Sequence, residues 1–451
     1  MSKFEKDLSQ GSVAKQLFAF ALPFIISNLI QTLYNVADMI IVGQFSGPIS
    51  MSGVNIGGQI TLLMTNLVVG LGAGATVLIA QYLGSGDRRA LKETIATLFT
   101  SLAVLAVILT FVMLALQVPI LKAIQTPVES FSEARKYLLI TACGTVFIFG
   151  YNALSSVMRG LGDSNRPLIF VSIACVINVI LDLILVGGFK MGAMGAGIAT
   201  VTSQGISMIL CVIYLRRNDF IFDFNFSSFE FHKNRLKMLF KLGVPMSIQN
   251  VTVGISFLFL TAMVNSLGVI PSAALGAVGK LNGFAILPAI AISSAISAMA
   301  AQNIGAGESE RAVETMKIGM LMAAVISFFV FFILRLFPEV LLRAFANDSE
   351  MIKAGVIYIK SFSFDYVIVP FVFSLNGLFI ACGHTTFSLI NGMISSILVR
   401  IPVAYLLGMV MDMGLYGVGF GAPFASAMAL ILGLCFFFSG RWKKTVILQE
   451  L

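Results

Sequence analysis

Long apolar segments, each of about 20 residues, alternate with short polar segments along almost the whole chain. An α-helix of that length crosses the hydrocarbon core of a bilayer, whereas a membrane β-barrel would place apolar residues at every second position. The segments predict twelve spans, at residues 17–43, 52–80, 93–116, 136–157, 167–187, 192–215, 238–267, 274–302, 312–336, 355–379, 387–408 and 414–439. The pattern therefore indicates an all-α polytopic membrane protein.

Three short motifs occur twice, with nearly the same offset between the two copies each time. QYLGSGDRRALKET (81–94) recurs as QNIGAGESERAVET (302–315), MGAMGAGIAT (191–200) recurs as MGLYGVGFGA (413–422), and Pro23 has a counterpart in Pro245. Each copy contains six spans and begins on the same side of the membrane, so the two repeats are parallel. Parallel repeats predict a pseudo-two-fold axis along the membrane normal, as in some secondary transporters.

The central polar segment separates the two repeats. We expect an N-terminal six-helix bundle at residues 1–215, a cytoplasmic linker at 216–237 and a C-terminal six-helix bundle at 238–451. Basic residues such as Arg88, Arg89 and Lys92 concentrate in the loops on one side, together with the N-terminal Lys3. By the positive-inside rule, that side is cytoplasmic and both termini lie there. The net charge of +8 is then a topology signal rather than a sign of nucleic-acid binding, and no signal peptide is apparent.

Composition supports the membrane assignment and argues against catalysis. Hydrophobic residues make up 58% of the chain and charged residues only 11%, whereas soluble domains carry charges at roughly a quarter of their positions. No Walker A motif and no zinc-type histidine spacing occur. The five scattered cysteines include no CxxC pair, which disfavours disulfides and metal clusters. We therefore expect a protein that is not an enzyme and that carries no cofactor or metal centre.

The first span carries a polar stripe. Asn28, Gln31, Asn35 and Asp38 follow one another at intervals of three or four residues, which puts them on one face of a helix. The amides can serve as interhelical hydrogen-bonding groups. A carboxylate in the middle of a span costs about 2.5–3.5 kcal/mol, so Asp38 suggests a function. Pro23 predisposes the same helix to kink.

A second polar group lies in the fifth and sixth spans. Asn178 and Asp182 are four residues apart and share a helix face, and Thr200 follows the glycine-rich turn of the sixth span. With Asp38 they offer two carboxylates, an amide carbonyl and a hydroxyl. Two neighbouring acids resist ionising together, so the set can carry a proton near neutral pH; the same oxygens can instead ligate Na⁺. A third interpretation is that both acids are neutral and only hydrogen-bond neighbouring helices.

The C-terminal repeat holds a different set of charges within its spans. Asp365 can form a buried ion pair with Lys280 or Arg400, or these three residues can bind substrate. Arg400 lies too deep in the eleventh span to reach the interface easily, so it should face a partner or a water-filled cavity. The candidate substrate cavity therefore combines side chains from both repeats, namely Asn28, Gln31, Asn35, Lys280, Asp365 and Arg400.

These motifs resemble the multidrug and toxic compound extrusion (MATE) family, in particular its bacterial members. The resemblance covers essentially the whole chain and rests on P-x7-Q-x6-D in the first span, the two glycine loops at 81–94 and 302–315, RGLGD at 159–163 and N-x3-D in the fifth span. It implies an antiporter of the bacterial inner membrane that exports cationic, amphipathic small molecules in exchange for H⁺ or Na⁺.

The resemblance also implies roles for individual residues. It implies helix bending at Pro23, with Pro245 as its counterpart, and a cavity role for Gln31. The implied ion-coupling residues are Asp38, Asn178, Asp182 and Thr200, with Na⁺ as the one metal ion that they could hold. Expected partners are organic cations and membrane lipids, not nucleic acid, and the protein is expected to be a monomer.

The chain departs from the family's pattern in its seventh span. Some family members place an acid on the seventh helix, but here that span (238–267) contains none, so ion coupling is expected in the N-terminal half. The nearest alternative is a flippase or exporter of lipid-linked or other anionic metabolites, for which Lys280 and Arg400 would suit a pyrophosphate. Two further alternatives are an intramembrane enzyme, for which the sequence offers no catalytic dyad, and a passive channel, for which it offers no pore-loop repeat.

Overall fold

A computed structural model describes residues 4–218, 220–344 and 348–445, and throughout these ranges the chain forms helices without a β-strand. Lys3, Asp219 of the predicted linker and the two ends of the predicted bundles at residues 1 and 451 lie outside the described residues.

The helices of the first half are bounded as follows: α1 Val13–Ser85, α2 Arg88–Ala123, α3 Val128–Cys143, α4 Thr145–Gly160, α5 Asn165–Asp182 and α6 Gly192–Arg217. A π-helical turn, Leu183–Gly188, continues α5.

The helices of the second half are more fragmented: α7 Lys233–Ser266, α8 Val269–Ala285, α9 Leu287–Gly305, α10 Ser309–Leu336, α11 Pro338–Arg343, α12 Ser349–Phe362, α13 Asp365–Ala381, α14 Thr385–Met393, α15 Ile401–Tyr405, α16 Gly414–Gly419 and α17 Gly421–Phe438. Two π-helical segments, Ile394–Arg400 and Leu406–Val410, join α14 to α15 and extend α15.

Helix lengths confirm the predicted number of spans. In the described part of the chain nine helical segments are long and apolar enough to cross a membrane, and two bent helix pairs bring the number to eleven. α1, with its 73 residues, would be about 110 Å long if straight, more than three times the thickness of a hydrocarbon core. It is interrupted at Gly47, whose φ of 76° favours glycine, and Pro48 follows. α1 therefore contains two spans, which makes twelve.

The chain forms two compact units, and the division crosses α1 and α7. One unit comprises Met1–Asp7 and Leu22–Ser247, and the other comprises Leu8–Ala21 and Ile248–Leu451. They are called the N-terminal unit and the C-terminal unit below.

Each unit contains a sharply bent helix pair at the same place in its repeat. In the N-terminal unit, α3 and α4 meet at Gly144 with a bend of 54°. In the C-terminal unit, α12 and α13 meet with a bend of 48°. The fourth and tenth predicted spans are therefore broken helices rather than straight ones.

The π-helical turns also recur, at the offset that separates Pro23 from Pro245. In the first unit the turn ends with a hydrogen bond from Met191 N to Leu185 O (2.9 Å), and in the second with one from Met413 N to Leu407 O (3.2 Å). The residue before each of these methionines, Lys190 or Asp412, has the same φ of 54°. The internal repeat inferred from the motifs is thus confirmed in the local backbone of each unit.

Candidate ion-binding site in the N-terminal unit

A cavity of about 300 Å³ lies within the N-terminal unit, between α1, α3, α4 and α6. This volume is at the lower end of the range for small-molecule sites. Its lining is rich in amide and hydroxyl side chains, namely Gln31, Tyr34, Asn35, Asn55, Tyr137, Asn152, Thr200 and Gln204. Such a cavity offers hydrogen bonds on most sides and one carboxyl group, that of Asp38.

The carboxyl group of Asp38 meets that of Asp182. Asp38 lines the cavity and is 6% exposed, while Asp182, the last residue of α5, is fully buried. The two side chains interact directly. No hydrogen-bond donor among the described residues reaches Asp38 Oδ1 or either carboxylate oxygen of Asp182. Two buried carboxylates in contact repel each other, so a proton or a bound cation is needed to neutralise part of their charge.

Asn178 and Thr200 supply further oxygen atoms. Asn178 lies one turn before Asp182 and is 1% exposed, and neither its Oδ1 nor its Nδ2 has a hydrogen-bond partner among the described residues. The Thr200 hydroxyl lies near the hydroxyls of Tyr34 and Tyr137. Carboxylate, carbonyl and hydroxyl oxygens are the ligands that hard cations prefer. The four predicted ion-coupling residues therefore lie on helices that pack together, and their chemistry fits H⁺ or Na⁺.

Contacts between neighbouring helices fix these residues in place. Ser207 Oγ of α6 donates a hydrogen bond to Phe170 O of α5 at 2.7 Å. Ala193 N at the start of α6 donates to Glu133 Oε2 of α3 at 3.0 Å. An apolar cluster that contains Tyr137 packs α1, α3 and α6 together around the cavity. The π-helical turn after Asp182 changes the helix register there, as π-turns often do at functional sites.

Three of the four residues in the polar stripe of the first span line the cavity, namely Gln31, Asn35 and Asp38. The fourth, Asn28, is not part of the cavity wall. The two prolines predicted to bend helices both lie inside helical segments, Pro23 in the part of α1 before Gly47 and Pro245 in α7.

Two tyrosines that were not among the predicted site residues, Tyr34 and Tyr137, line the cavity. Tyr34 lies three residues after Gln31 and four before Asp38, so the helical spacing could have identified it. Tyr137 lies on another helix, in a span with no polar pattern, and only the packing brings it to Thr200.

The C-terminal unit fills the equivalent position with apolar side chains. By the offset between Pro23 and Pro245, the counterparts of Asp38, Asp182 and Thr200 are, respectively, Leu260, Ala404 and Ala422. All three counterparts are buried in one hydrophobic cluster. The same helix packing is thus present in both repeats, but only the N-terminal copy carries the acids.

The three charged residues predicted for the C-terminal half are separated from one another. Asp365 is buried and accepts a hydrogen bond from Ser426 Oγ at 2.5 Å. Arg400 donates to Ser256 Oγ at 2.9 Å, and its guanidinium lies 4.6 Å from the centre of the Phe257 ring.

Neither base pairs with the acid. Among the described residues no cation lies within 4.0 Å of the Asp365 carboxylate, and Arg400 acts on it only from a greater distance. Lys280 on α8 is exposed.

Twelve spans in two repeats, with an acid-bearing polar cavity inside the N-terminal unit, are typical of a multi-pass membrane transporter. The family model MatE matches the chain twice, over residues 23–184 and 245–406, so each match begins at one of the two prolines. The chain belongs to the MATE family, which comprises transporters rather than enzymes.

Curated relatives span nearly the whole chain. The probable multidrug resistance protein YpnP of Bacillus subtilis is 28% identical over 98% of this chain and 99% of its own length. A protein of Shewanella oneidensis named FAD transporter is 22% identical over 96% of each chain. The protein is therefore a member of the MATE multidrug efflux transporters.

Solved structures show the same fold. A multidrug resistance MATE transporter in an outward-facing conformation is 23% identical, with a TM-score of 0.90 over 98% of both chains. Structures of a MATE protein in a bent and in a straight conformation are each 22% identical, with TM-scores of 0.89 and 0.90 over 98% of both chains.

Proposed function

We propose that the protein is a secondary active antiporter that exports cationic, amphipathic small molecules in exchange for H⁺ or Na⁺ by alternating access. The observation that carries this proposal is the contact between the carboxyl groups of Asp38 and Asp182, whose three oxygens named above have no hydrogen-bond donor among the described residues. Two carboxylates in contact need a counter-cation. The cavity beside them gives a second cation, the cargo, access to Asp38.

Competition between the coupling ion and the cargo is the proposed mechanism. With the pair ionised, the negative charge at Asp38 favours an organic cation in the polar cavity. Binding of H⁺ or Na⁺ neutralises one of the two negative charges, weakens that attraction and releases the cargo. For Na⁺, the ligands would be carboxylate oxygens of Asp38 and Asp182, the Asn178 carbonyl and the Thr200 hydroxyl; for H⁺, the two carboxyl groups would share the proton.

Bending of α1 at Pro23 would link ion binding to access. A proline inside a helix removes one backbone hydrogen bond and lowers the cost of a kink. Pro23 precedes Asp38 on the same helix, so a bend there would move Asp38 relative to α5 and α6. The existence of bent and straight structures of a MATE protein supports this proposal.

The proposed orientation follows from the loop charges. We place the protein in the bacterial inner membrane as a monomer, with the N-terminus, the central linker and the C-terminus in the cytoplasm. Organic cations then enter the cavity from the cytoplasmic side and leave on the other.

Transport by proteoliposomes tests the function. Efflux of a fluorescent organic cation is measured with an imposed pH gradient and, separately, with an imposed Na⁺ gradient. We expect one of the two gradients to drive transport, and Asp38→Asn to abolish it because an amide cannot exchange an ion. Asp412→Asn is the control, since it neutralises an exposed acid in the other unit that lines neither cavity. Undiminished gradient-driven transport by Asp38→Asn would overturn the assignment of the coupling site.

An anionic cargo is the second candidate. Lys280 is exposed, and among the described residues its ammonium group has no ion-pair partner. A relative is named as a transporter of FAD, which carries a pyrophosphate. Uptake of FAD and of the fluorescent cation into the same proteoliposomes separates the two functions: transport of FAD alone would favour the anionic cargo.

A further inference from the structure

A second cavity, of about 450 Å³, lies at the beginning of α2. One wall is formed by the first turns of α2 with Arg88, Arg89 and Lys92, and the other by the central linker with Ser227, Ser228 and His232. It belongs entirely to the N-terminal unit and is separate from the residues of the ion site.

The linker is held against α2 by specific contacts, so the cavity has two defined walls. His232 N donates a hydrogen bond to Thr97 Oγ1 at 3.2 Å. The rings of Phe222 and Phe99 pack edge to face, with centroids 5.2 Å apart. Arg235, near the end of the linker, donates to Glu93 Oε2 of α2 at 3.1 Å.

The cavity carries an excess of positive charge. Glu93, one of its two acids, is neutralised by Arg89 at 2.8 Å and by Arg235 at 3.1 Å. The Oε2 atom of the other acid, Glu230, lies 3.4 Å from Nε2 of His232. Lys92 is exposed and has no ion pair with any described residue. An anion would therefore meet a free ammonium group and a guanidinium group on α2.

The repeat shows that these cations are not a general requirement of the fold. By the offset between Gln81 and Gln302, the equivalent positions in the second repeat are Ser309, Glu310 and Val313. Nor do the cations stabilise α2, because positive side chains in the first turn oppose the helix dipole. The second repeat has no cation at these three positions, so the basic lining of the cavity is a feature of the first repeat's sequence.

The position of the cavity along α2 points to the membrane surface. α2 has 36 residues and a length of about 54 Å, well beyond the roughly 30 Å of a hydrocarbon core. Its charged first turns therefore lie at the level of the lipid headgroups. Phe231, between the two lining residues Glu230 and His232, is 53% exposed and gives the rim an apolar surface beside the charges.

We propose that this cavity binds a phosphate-bearing anion, the headgroup of an anionic phospholipid, through Arg89 and Lys92. The phosphate would lie against the two cations while an acyl chain follows the apolar surface near Phe231. Basic recesses at helix ends on the cytoplasmic side are known to suit such headgroups in general. The proposal does not depend on the coupling ion or on the transported cargo.

Lipid retention by the full-length protein tests the proposal. The protein is reconstituted in nanodiscs of phosphatidylcholine with increasing phosphatidylglycerol, and bound lipid is counted by native mass spectrometry after extraction. The test variant is Arg89→Gln with Lys92→Gln; both side chains are exposed, and Glu93 keeps its contact with Arg235. The matched control, Lys317→Gln with Lys444→Gln, removes two exposed cations elsewhere.

We expect phosphatidylglycerol to bind the test variant roughly 30-fold more weakly than the wild type, from the loss of two cations near the membrane surface, and the control variant to bind like the wild type. Equal retention by all three proteins would overturn the proposal. A parallel titration with inorganic phosphate distinguishes the source: if millimolar phosphate displaces the lipid completely, a free phosphate rather than a lipid is the ligand and the lipid assignment is wrong.

Discussion

Arg400 donates a hydrogen bond to Ser256 at 2.9 Å, and both side chains are buried in the C-terminal unit. By the offset between the repeats, these two residues are the counterparts of Asn178 and Tyr34, which belong to the ion site of the N-terminal unit. Where the N-terminal unit has an amide and a tyrosine beside its carboxyl pair, the C-terminal unit therefore holds a guanidinium group fixed by a hydroxyl. The repeats share a local backbone but differ in the charge of these side chains.

Ser256→Ala should destabilise the C-terminal unit. The guanidinium of Arg400 would lose its hydrogen-bond partner, and its Nε already has none among the described residues. A hydrogen bond to a charged group contributes about 1.5–3 kcal/mol, so we expect a clearly lower melting temperature in detergent. Ser266→Ala is the control, because Ser266 is exposed and bonds only within its own helix. An equal melting temperature for both variants would show that Arg400 does not depend on Ser256.

Gly417→Ala should also lower stability. A Cβ atom at Gly417 would overlap the backbone of Leu407 and Gly408, which cannot move away as a side chain can. Overpacking of this kind costs about 1–3 kcal/mol. Gly279→Ala is the matched control in the same unit, since a Cβ there meets open space. Thermal unfolding of the two variants provides the measurement, and similar melting temperatures would contradict the close approach of α16 to the preceding π-helical segment.

Pro23→Ala should slow transport while leaving ion binding intact. Alanine restores the backbone hydrogen bond that proline lacks and makes α1 harder to bend. Pro245→Ala should have a smaller effect, because the helix that contains Pro245 has no acid in the equivalent position. Initial rates of dye efflux from proteoliposomes compare the two variants. If both slow transport equally, bending at Pro23 is not specifically linked to the ion site.

Lys280→Gln should improve the transport of cations. Removing an exposed positive charge about 4 Å from a cationic substrate is worth about 1 kcal/mol in water, so the KM for a cationic dye should fall roughly fivefold. Transport of an anionic dye should change in the opposite direction. Lys353→Gln serves as the control, because Lys353 is exposed and paired with Glu350. No difference between the Lys280 and Lys353 variants would place Lys280 outside the path of the cargo.

The sequence allowed the spans to be predicted because membrane thickness fixes the length of an apolar helix, and the repeated motifs revealed the two copies. The bends at Gly144 and between α12 and α13 were not predicted, since a single glycine or serine in a span has no distinctive pattern. Asp38 and Asp182 were predicted because a carboxyl group within a membrane is costly. Their mutual contact depends on how α1 and α5 pack.

Partners of isolated residues were the least predictable part of the site. The sequence left open whether Arg400 pairs with Asp365 or binds substrate, and it could not reveal that the hydrogen-bond partner of Arg400 is Ser256, far away in the sequence. Tyr137 reaches Thr200 only through the packing of α3 against α6. A lone serine or tyrosine in an apolar span carries no periodic signal, so only the fold reveals such pairs.

The apolar cluster around Leu260, Ala404 and Ala422 has a consequence for the stoichiometry of transport. Because this cluster occupies the second copy of the site, one chain offers one carboxyl pair of this kind among its described residues. Under the proposed antiport, one monovalent ion exchanges for one singly charged molecule, and the cycle moves no net charge. The membrane voltage then contributes nothing, and a tenfold ion gradient sustains at most a tenfold gradient of cargo, equivalent to about 1.4 kcal/mol. Transport would be electroneutral.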